Sequence, residues 1–195
     1  MQPPPQGSSE SNPLTPREAI DVLLAEYEAM YRLAGFRMTS LERRVPAAGA
    51  TIVAFLGVLP LLPESSQWIL LVVVPASLVW FVRTTINHAR SFEDVLRRIE
   101  WIEKRTNQLA GEELLGFQSN HPSRGTTVGG RTGVETVSAV MLASAMVLLA
   151  CLTLTFDGPA TRPAAWWSYY AYLVAVALYL GSCIRGWRRY QTVNT

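Results

Sequence analysis

The chain has 195 residues, of which 49% are hydrophobic and 16% charged, and its formal net charge is +2. So small a net charge excludes a surface that binds nucleic acid or another polyanion through its total charge. The apolar residues are gathered into four blocks, Pro46–Leu62, Trp68–Asn87, Val134–Phe156 and Trp166–Ile184. Each is close to the ~20 residues that a helix needs to cross ~30 Å of hydrocarbon. The expected fold is all-α: a polytopic membrane protein with four transmembrane helices and a cytosolic antiparallel helical pair extending from the first hairpin.

Charge placement gives the orientation. Of the 17 Lys and Arg residues, Arg162 alone falls in a connection between paired spans. The positive-inside rule therefore places both termini in the cytosol. Arg supplies 16 of the 17, a bias found in GC-rich bacterial genomes, so the expected location is the bacterial inner (cytoplasmic) membrane.

In chain order, residues 1-14 are rich in Pro, Gln, Gly and Ser and read as a disordered tail, with no apolar core of a signal peptide. Residues 15-45 read as a cytosolic amphipathic helix. Thr15, Pro16 and Glu18 form an N-terminal capping signature. Ile20, Leu23, Tyr27, Met30, Ala34, Met38 and Leu41 then recur at steps of three and four. Glu18, Asp21, Glu26 and Glu28 come early on its polar face, and Arg32, Arg37, Arg43 and Arg44 come late, which complements the helix dipole. Residues 46-63 form the first span, whose small residues Ala47, Ala48, Gly49, Ala50, Ala54 and Gly57 suit close helix approach. After a tight turn, the second span covers 68-87, with Pro75 expected to kink it.

The helix is expected to continue as a cytosolic segment, 88-117. Phe92, Val95, Ile99, Ile102, Thr106 and Leu109 form its seam. Glu93–Arg97, Asp94–Arg98 and Glu100–Lys104 are spaced for i,i+4 ion pairs. Gly111 interrupts the pattern, and Glu112–Phe117 is expected to add one more turn. Residues 118-133 read as a flexible loop, 134-156 as the third span, 166-184 as the fourth and 185-195 as a cytosolic tail. Trp166, Trp167, Tyr169, Tyr170 and Tyr172 form an aromatic girdle at the outer interface.

Candidate sites follow from this layout. Arg37, Arg43, Arg44, Arg185, Arg188 and Arg189 stand where lipid headgroups lie. Leu23, Tyr27, Met30, Phe92, Val95, Ile99, Ile102 and Leu109 form an interaction seam. No catalytic, cofactor-binding or metal-ligating set is evident. The string Gly125-Thr126-Thr127-Val128-Gly129-Gly130-Arg131-Thr132 approaches a phosphate-binding loop, but it has Arg131 in place of the required Lys and no preceding strand. His88 and His121 have no Cys, Asp or Ser partner at informative spacing. Cys151 and Cys183 fall at opposite depths, too far apart for a disulfide. The spans hold no acid or base at depth, which argues against transporters and proton pumps. Ser77, Thr84, Thr85, Ser138, Ser144, Thr153 and Thr155 are the hydroxyls that could line a pore.

Glu26-Tyr27 and Arg32, together with Ile99-Glu100-x-Ile102-Glu103, Asn107, Leu109 and Gly111, resemble small bacterial integral membrane proteins of unknown function. The first half is similar in architecture to two-span effector modules of bacterial nucleotide-signalling defence systems. The resemblance implies a bacterial inner-membrane protein and carries no activity. The leading expectation is a non-enzymatic membrane scaffold or accessory subunit that acts by helix association in a homo-oligomer or larger complex. Its partners would be membrane lipids and other membrane-protein subunits, with no nucleic acid. The alternative is a channel-like or membrane-disrupting effector gated by its cytosolic helices. A lipid-interface enzyme using Arg37, Arg43, Arg44 or His88 ranks third.

Overall fold

The structure is a computed structural model that describes residues 14–122, 127–154 and 163–192. The expected disorder of the N-terminal tail, the residues Gly125, Thr126 and Thr155, the outer turn at Asp157-Gly158-Pro159, and Arg162 lie outside the described residues. Among those described there are five α-helices and no strand: α1 (Pro16–Glu42), α2 (Arg44–Val58), α3 (Glu64–Ala110), α4 (Gly130–Leu154) and α5 (Pro163–Thr192).

Helix α1 opens with the anticipated capping box. Glu18 N–H donates to Thr15 Oγ1, and Thr15 N–H donates to Glu18 Oε2 at 2.8 Å. The Thr15 and backbone hydrogen bonds hold the Glu18 carboxyl below its usual range. Helices α1 and α2 run nearly end to end. Pro46 has no N–H to give to the Glu42 carbonyl, so the regular ladder is interrupted there. Arg43 N–H donates to Thr39 O before the break, and Ala47 N–H donates to Arg43 O directly after it. A short 3-10 turn, Leu59–Leu61, closes this first arm.

The second apolar block and the charged seam form a single 47-residue helix, α3, with Pro75 inside it. Proline cannot satisfy the carbonyl four residues earlier, which is Leu71. Tyr169 on α5 supplies the missing donor, its hydroxyl lying 3.1 Å from Leu71 O, and Tyr172 donates to Val72 O at 2.7 Å. Tyr169 of the girdle thus repairs the proline break from a neighbouring helix, with Tyr172 bonding the next carbonyl. At the other end, Gly111 caps α3 in the left-handed conformation (φ 76°). The extra turn expected after it does not form. Asn107 instead folds the chain back, accepting from the N–H groups of Leu114 and Leu115 and donating to Leu115 O.

Helix α4 starts at Gly130, four residues ahead of the expected span, and α5 continues through the expected tail to Thr192. Four helices are long and apolar enough to cross a membrane, within Pro16–Leu61, Gln67–Ala110, Gly130–Thr153 and Trp166–Tyr190.

The packing forms two layers. In the polar layer, α1 lies along the second half of α3, the most extensive helix pairing in the molecule. Tyr27 early on α1 bonds Glu103, and Arg44, just past the end of α1, bonds Thr84, so rising numbers on one arm meet falling numbers on the other and the two run antiparallel. In the apolar layer α2 and α3 barely touch, and α4 packs between them while α5 packs on α3. One core cluster runs from Ala34 and Leu41 through Val82, Ile99 and Val140 to Trp187, crossing both layers. A second joins Phe55, Leu78, Val147, Cys151 and Leu173 at the far end. Val53, Trp80, Leu142, Leu149 and Leu178 of the apolar layer point outward.

Candidate interaction site in the polar layer

The seam anticipated on α1 and α3 is the contact between them. Leu23, Phe92, Val95, Ile99 and Ile102 are buried, with Ile99 and Ile102 at 0% exposure, while Tyr27, Met30 and Leu109 are half-buried. Leu41, also fully buried, belongs to the same surface. The pairing therefore consumes its own seam, and little of it is left to present to another molecule.

Polar contacts fix the register. Arg98 was spaced to pair with Asp94, but it reaches across to Glu26 on α1 with two bonds of 2.7 and 3.0 Å. The same guanidinium stacks 4.1 Å from the Trp101 ring. The Arg98 bond holds the Glu26 carboxyl below its usual range. Because nearly half of the Arg98 side chain is exposed, the pair contributes under about 1 kcal/mol and acts mainly as a register mark. Asp94 instead accepts from the Tyr190 hydroxyl on α5, a bond that raises the tyrosine pKa. The guanidiniums of Arg90 and Arg97 lie 5.4 and 5.3 Å from the same Tyr190 ring. Tyr190, in the expected cytosolic tail, is clamped to α3 by these contacts. The pairs Glu93–Arg97 and Glu100–Lys104 form as spaced.

Two of the α3 glutamates are buried, which the charge pattern did not indicate. Glu103 is 0% exposed. Its carboxylate accepts from the Tyr27 hydroxyl at 3.1 Å, the Gln118 N–H at 2.9 Å, the Ser119 N–H at 2.7 Å and the Ser119 hydroxyl at 2.5 Å. The hydroxyl of Tyr27 is driven to titrate well above its ordinary range by burial, with Tyr31 and Glu103 adding to the effect. Glu93, 4% exposed, accepts from Arg97 Nε at 3.0 Å and from the Gly129 N–H at 2.9 Å. Desolvating a carboxylate is tolerable only when such donors replace water. Each glutamate thereby pins one end of the connection between α3 and α4, which sequence reasoning took for a flexible loop.

This geometry also bears on the phosphate-loop string. Gly129 N–H, which would face a phosphate, is taken by the Glu93 carboxylate. The left-handed Gly129 (φ 74°) sits so close to α3 that a Cβ would lie 2.9 Å from Ala89 O. Gly129 serves a close backbone approach. Tyr31, Phe117 and His121 continue the polar layer as an aromatic ladder, with centroid spacings of 6.4 and 6.1 Å.

The arginines proposed for headgroups fall into two groups. Arg43, Arg185, Arg188 and Arg189 are exposed. Arg37 and Arg44 are half-buried, and Arg44 donates to Thr84 and Thr85 Oγ1 at 3.0 and 3.1 Å while lying 5.8 Å from the Phe81 ring. His88 is beside them. Burial, then Arg44 and Arg37, lower its pKa.

Five of the hydroxyls considered for a pore bond their own helices. Ser77, Thr84, Thr85, Ser144 and Thr153 donate to carbonyls three or four residues back. Cys151 and Cys183 are not joined in a disulfide.

Comparison with family models, with curated proteins and with solved structures finds no match to this chain. Fold and site together define a class: an all-helical protein with four helices able by length and composition to cross a membrane.

Proposed function

We propose that the protein is a non-enzymatic integral membrane scaffold or accessory subunit of the bacterial inner membrane, with both termini and the polar layer in the cytosol. It works by helix association, in a homo-oligomer or with other membrane-protein subunits. The observation that carries this reading is the outward face of α2. Ala47, Ala50, Ala54 and Gly57 recur at steps of three and four, and all four are exposed. Nothing lies within 4 Å of a Cβ built on Gly57. The opposite face, with Ala48 and Phe55, is the buried one. In lipid, apolar surface gives helices no reason to associate, so a small-residue face that admits close backbone approach is the usual contact surface. With the polar seam consumed within the chain, α2 is the face left for a partner. Exposed Arg43, Arg185 and Arg188 suit the anionic headgroup layer.

Cysteine placed at Ala54 tests this in native membranes. A disulfide-linked dimer, or a crosslink to another subunit, is expected, and Ala50→Leu should suppress it by holding the backbones apart. Monomer under every condition would overturn the reading. A channel-like effector is the competing reading. With Ser77, Thr84, Thr85, Ser144 and Thr153 bonded to their own backbones, it would need a pore assembled between copies, and dye release from reconstituted vesicles would favour it.

A further inference from the structure

We propose that the cavity between α3 and α5 lined by Arg83, Asn87, Arg90, Ser182 and Gly186 binds the phosphate of an anionic phospholipid. The proposal rests on the apolar layer lying in a bilayer and is independent of oligomerisation through α2. The cavity measures about 330 Å³. On α3 its polar residues are spaced by four and three, so Arg83, Asn87 and Arg90 line one side of the helix. On α5 the facing wall is small: Ser182, Cys183 and Gly186. A Cβ at Gly186 would sit 3.4 Å from Arg90 Nη2, so the glycine makes room for that guanidinium.

Three observations point to an anion. No carboxylate lines the cavity. Arg90 Nε is buried with no hydrogen-bond partner, a donor that costs free energy until an acceptor arrives. Arg83 and Arg90 are also about 10 Å apart along the helix axis at 1.5 Å per residue, so two long side chains can close on one phosphate from either end.

The location points to lipid as the source of that phosphate. Arg83 and Cys183 mark the ends of their apolar blocks, so the cavity sits at the boundary between the layers. Beyond its rim at Tyr179, α5 continues into its apolar block, whose outward face carries exposed Leu178 and Val174, at 71% and 57% exposure. An acyl chain would lie along them while the phosphate sits below. A free phosphate would leave that apolar path unused.

Native mass spectrometry of the full chain released from nanodiscs tests the assignment, using phosphatidylcholine alone and phosphatidylcholine mixed with phosphatidylglycerol. Retained phosphatidylglycerol is expected on the wild type and should fall about tenfold in Arg83→Gln/Arg90→Gln, as two charge-assisted bonds are lost. Gly186→Leu fills the cavity without changing charge and should also lower retention. Lys104→Gln/Arg105→Gln removes the same charge from exposed positions farther along α3 and should leave retention within about twofold. An equal fall in that variant would reduce the effect to general surface charge and overturn the site. Inorganic phosphate titrated onto the protein in phosphatidylcholine nanodiscs should not bind, and affinity comparable to the lipid's would reassign the site to a soluble anion. Thermal unfolding of each variant separates loss of lipid from loss of fold. Efficient nanodisc insertion without phosphatidylglycerol retention would sink this site and leave the membrane reading standing.

Discussion

The two layers of this molecule are built from the same helices and are held together differently. Around α1 and the second half of α3, large side chains interdigitate at 0% exposure and hydrogen bonds between helices set the register. In the apolar layer, α2 and α3 come from one hairpin yet rely on α4 to connect them, and α2 turns small residues outward. In water, burying apolar surface drives association, so the polar layer closes on itself. Under the proposed placement in lipid that drive is missing, and a loosely paired hairpin with a small-residue face would stay available to partners. Because α1 with α2, and α3 alone, pass through both layers, a closed polar layer fixes where the open apolar layer sits.

The strongest way to break the contrast is at Glu103. Glu103→Leu would strand the Gln118 and Ser119 N–H groups and the Tyr27 hydroxyl in a buried site. At ~1–3 kcal/mol for each unpaired donor, the loss should be on the order of 4 kcal/mol. Hydrogen exchange should show Gln118 and Ser119 losing protection, and unchanged protection would refute the role. Next is Ile99→Ala, which opens a void in the fully buried seam and should cost about 2–4 kcal/mol, read as a lower unfolding temperature in detergent. An apolar-layer truncation such as Val53→Ala, at 72% exposure, should cost far less in the same assay.

The sequence made the seam and the spans legible because both are periodic. Steps of three and four between Phe92 and Leu109, or long uncharged runs, survive without knowledge of what packs against them. The buried glutamates were not legible for the opposite reason. Glu93 and Glu103 sit in a row of acids and bases spaced like a solvated face, and their burial comes from partners 36 and 15 residues away, at Gly129 and Gln118. One signal was present. Glu103 and Tyr27 both belonged to the strings that resembled other membrane proteins, and the structure joins them at 3.1 Å. Arg98 was misassigned because i,i+4 spacing cannot reveal a better carboxylate on another helix. The cavity at Arg83 and Arg90 depends on the small wall of α5, which no local pattern links to α3.

Tyr169→Phe sharpens the comparison from the apolar side. It leaves Leu71 O, already deprived of its helical donor by Pro75, without the Tyr169 hydroxyl. The expected loss is about 1–2 kcal/mol. Pro75→Ala restores the backbone donor, so in that background Tyr169→Phe should cost only a few tenths of a kcal/mol. Full additivity of the two changes in unfolding measurements would show that the tyrosine does not serve the proline break.

The smallest effect is expected at His88, at the seam between the layers. Burial, with Arg44 and Arg37 nearby, lowers its pKa below the ordinary 6.5. The unfolded chain therefore takes up this proton at a higher pH than the folded chain does. Above about pH 6.5 both states are neutral and His88 costs nothing. As pH falls through that value toward the lower folded-state pKa, the unfolded state gains the proton first and stability declines. His88→Gln removes the titration, so unfolding temperatures measured from pH 7.5 down to 5 should fall less steeply than in the wild type, with the two curves meeting at the neutral end. A wild type that gained stability on acidification through this window, relative to the variant, would mean that an anion at Arg37 and Arg44 favours the protonated ring. That outcome would move the boundary's charge from a penalty carried by the fold to a contact supplied by its surroundings.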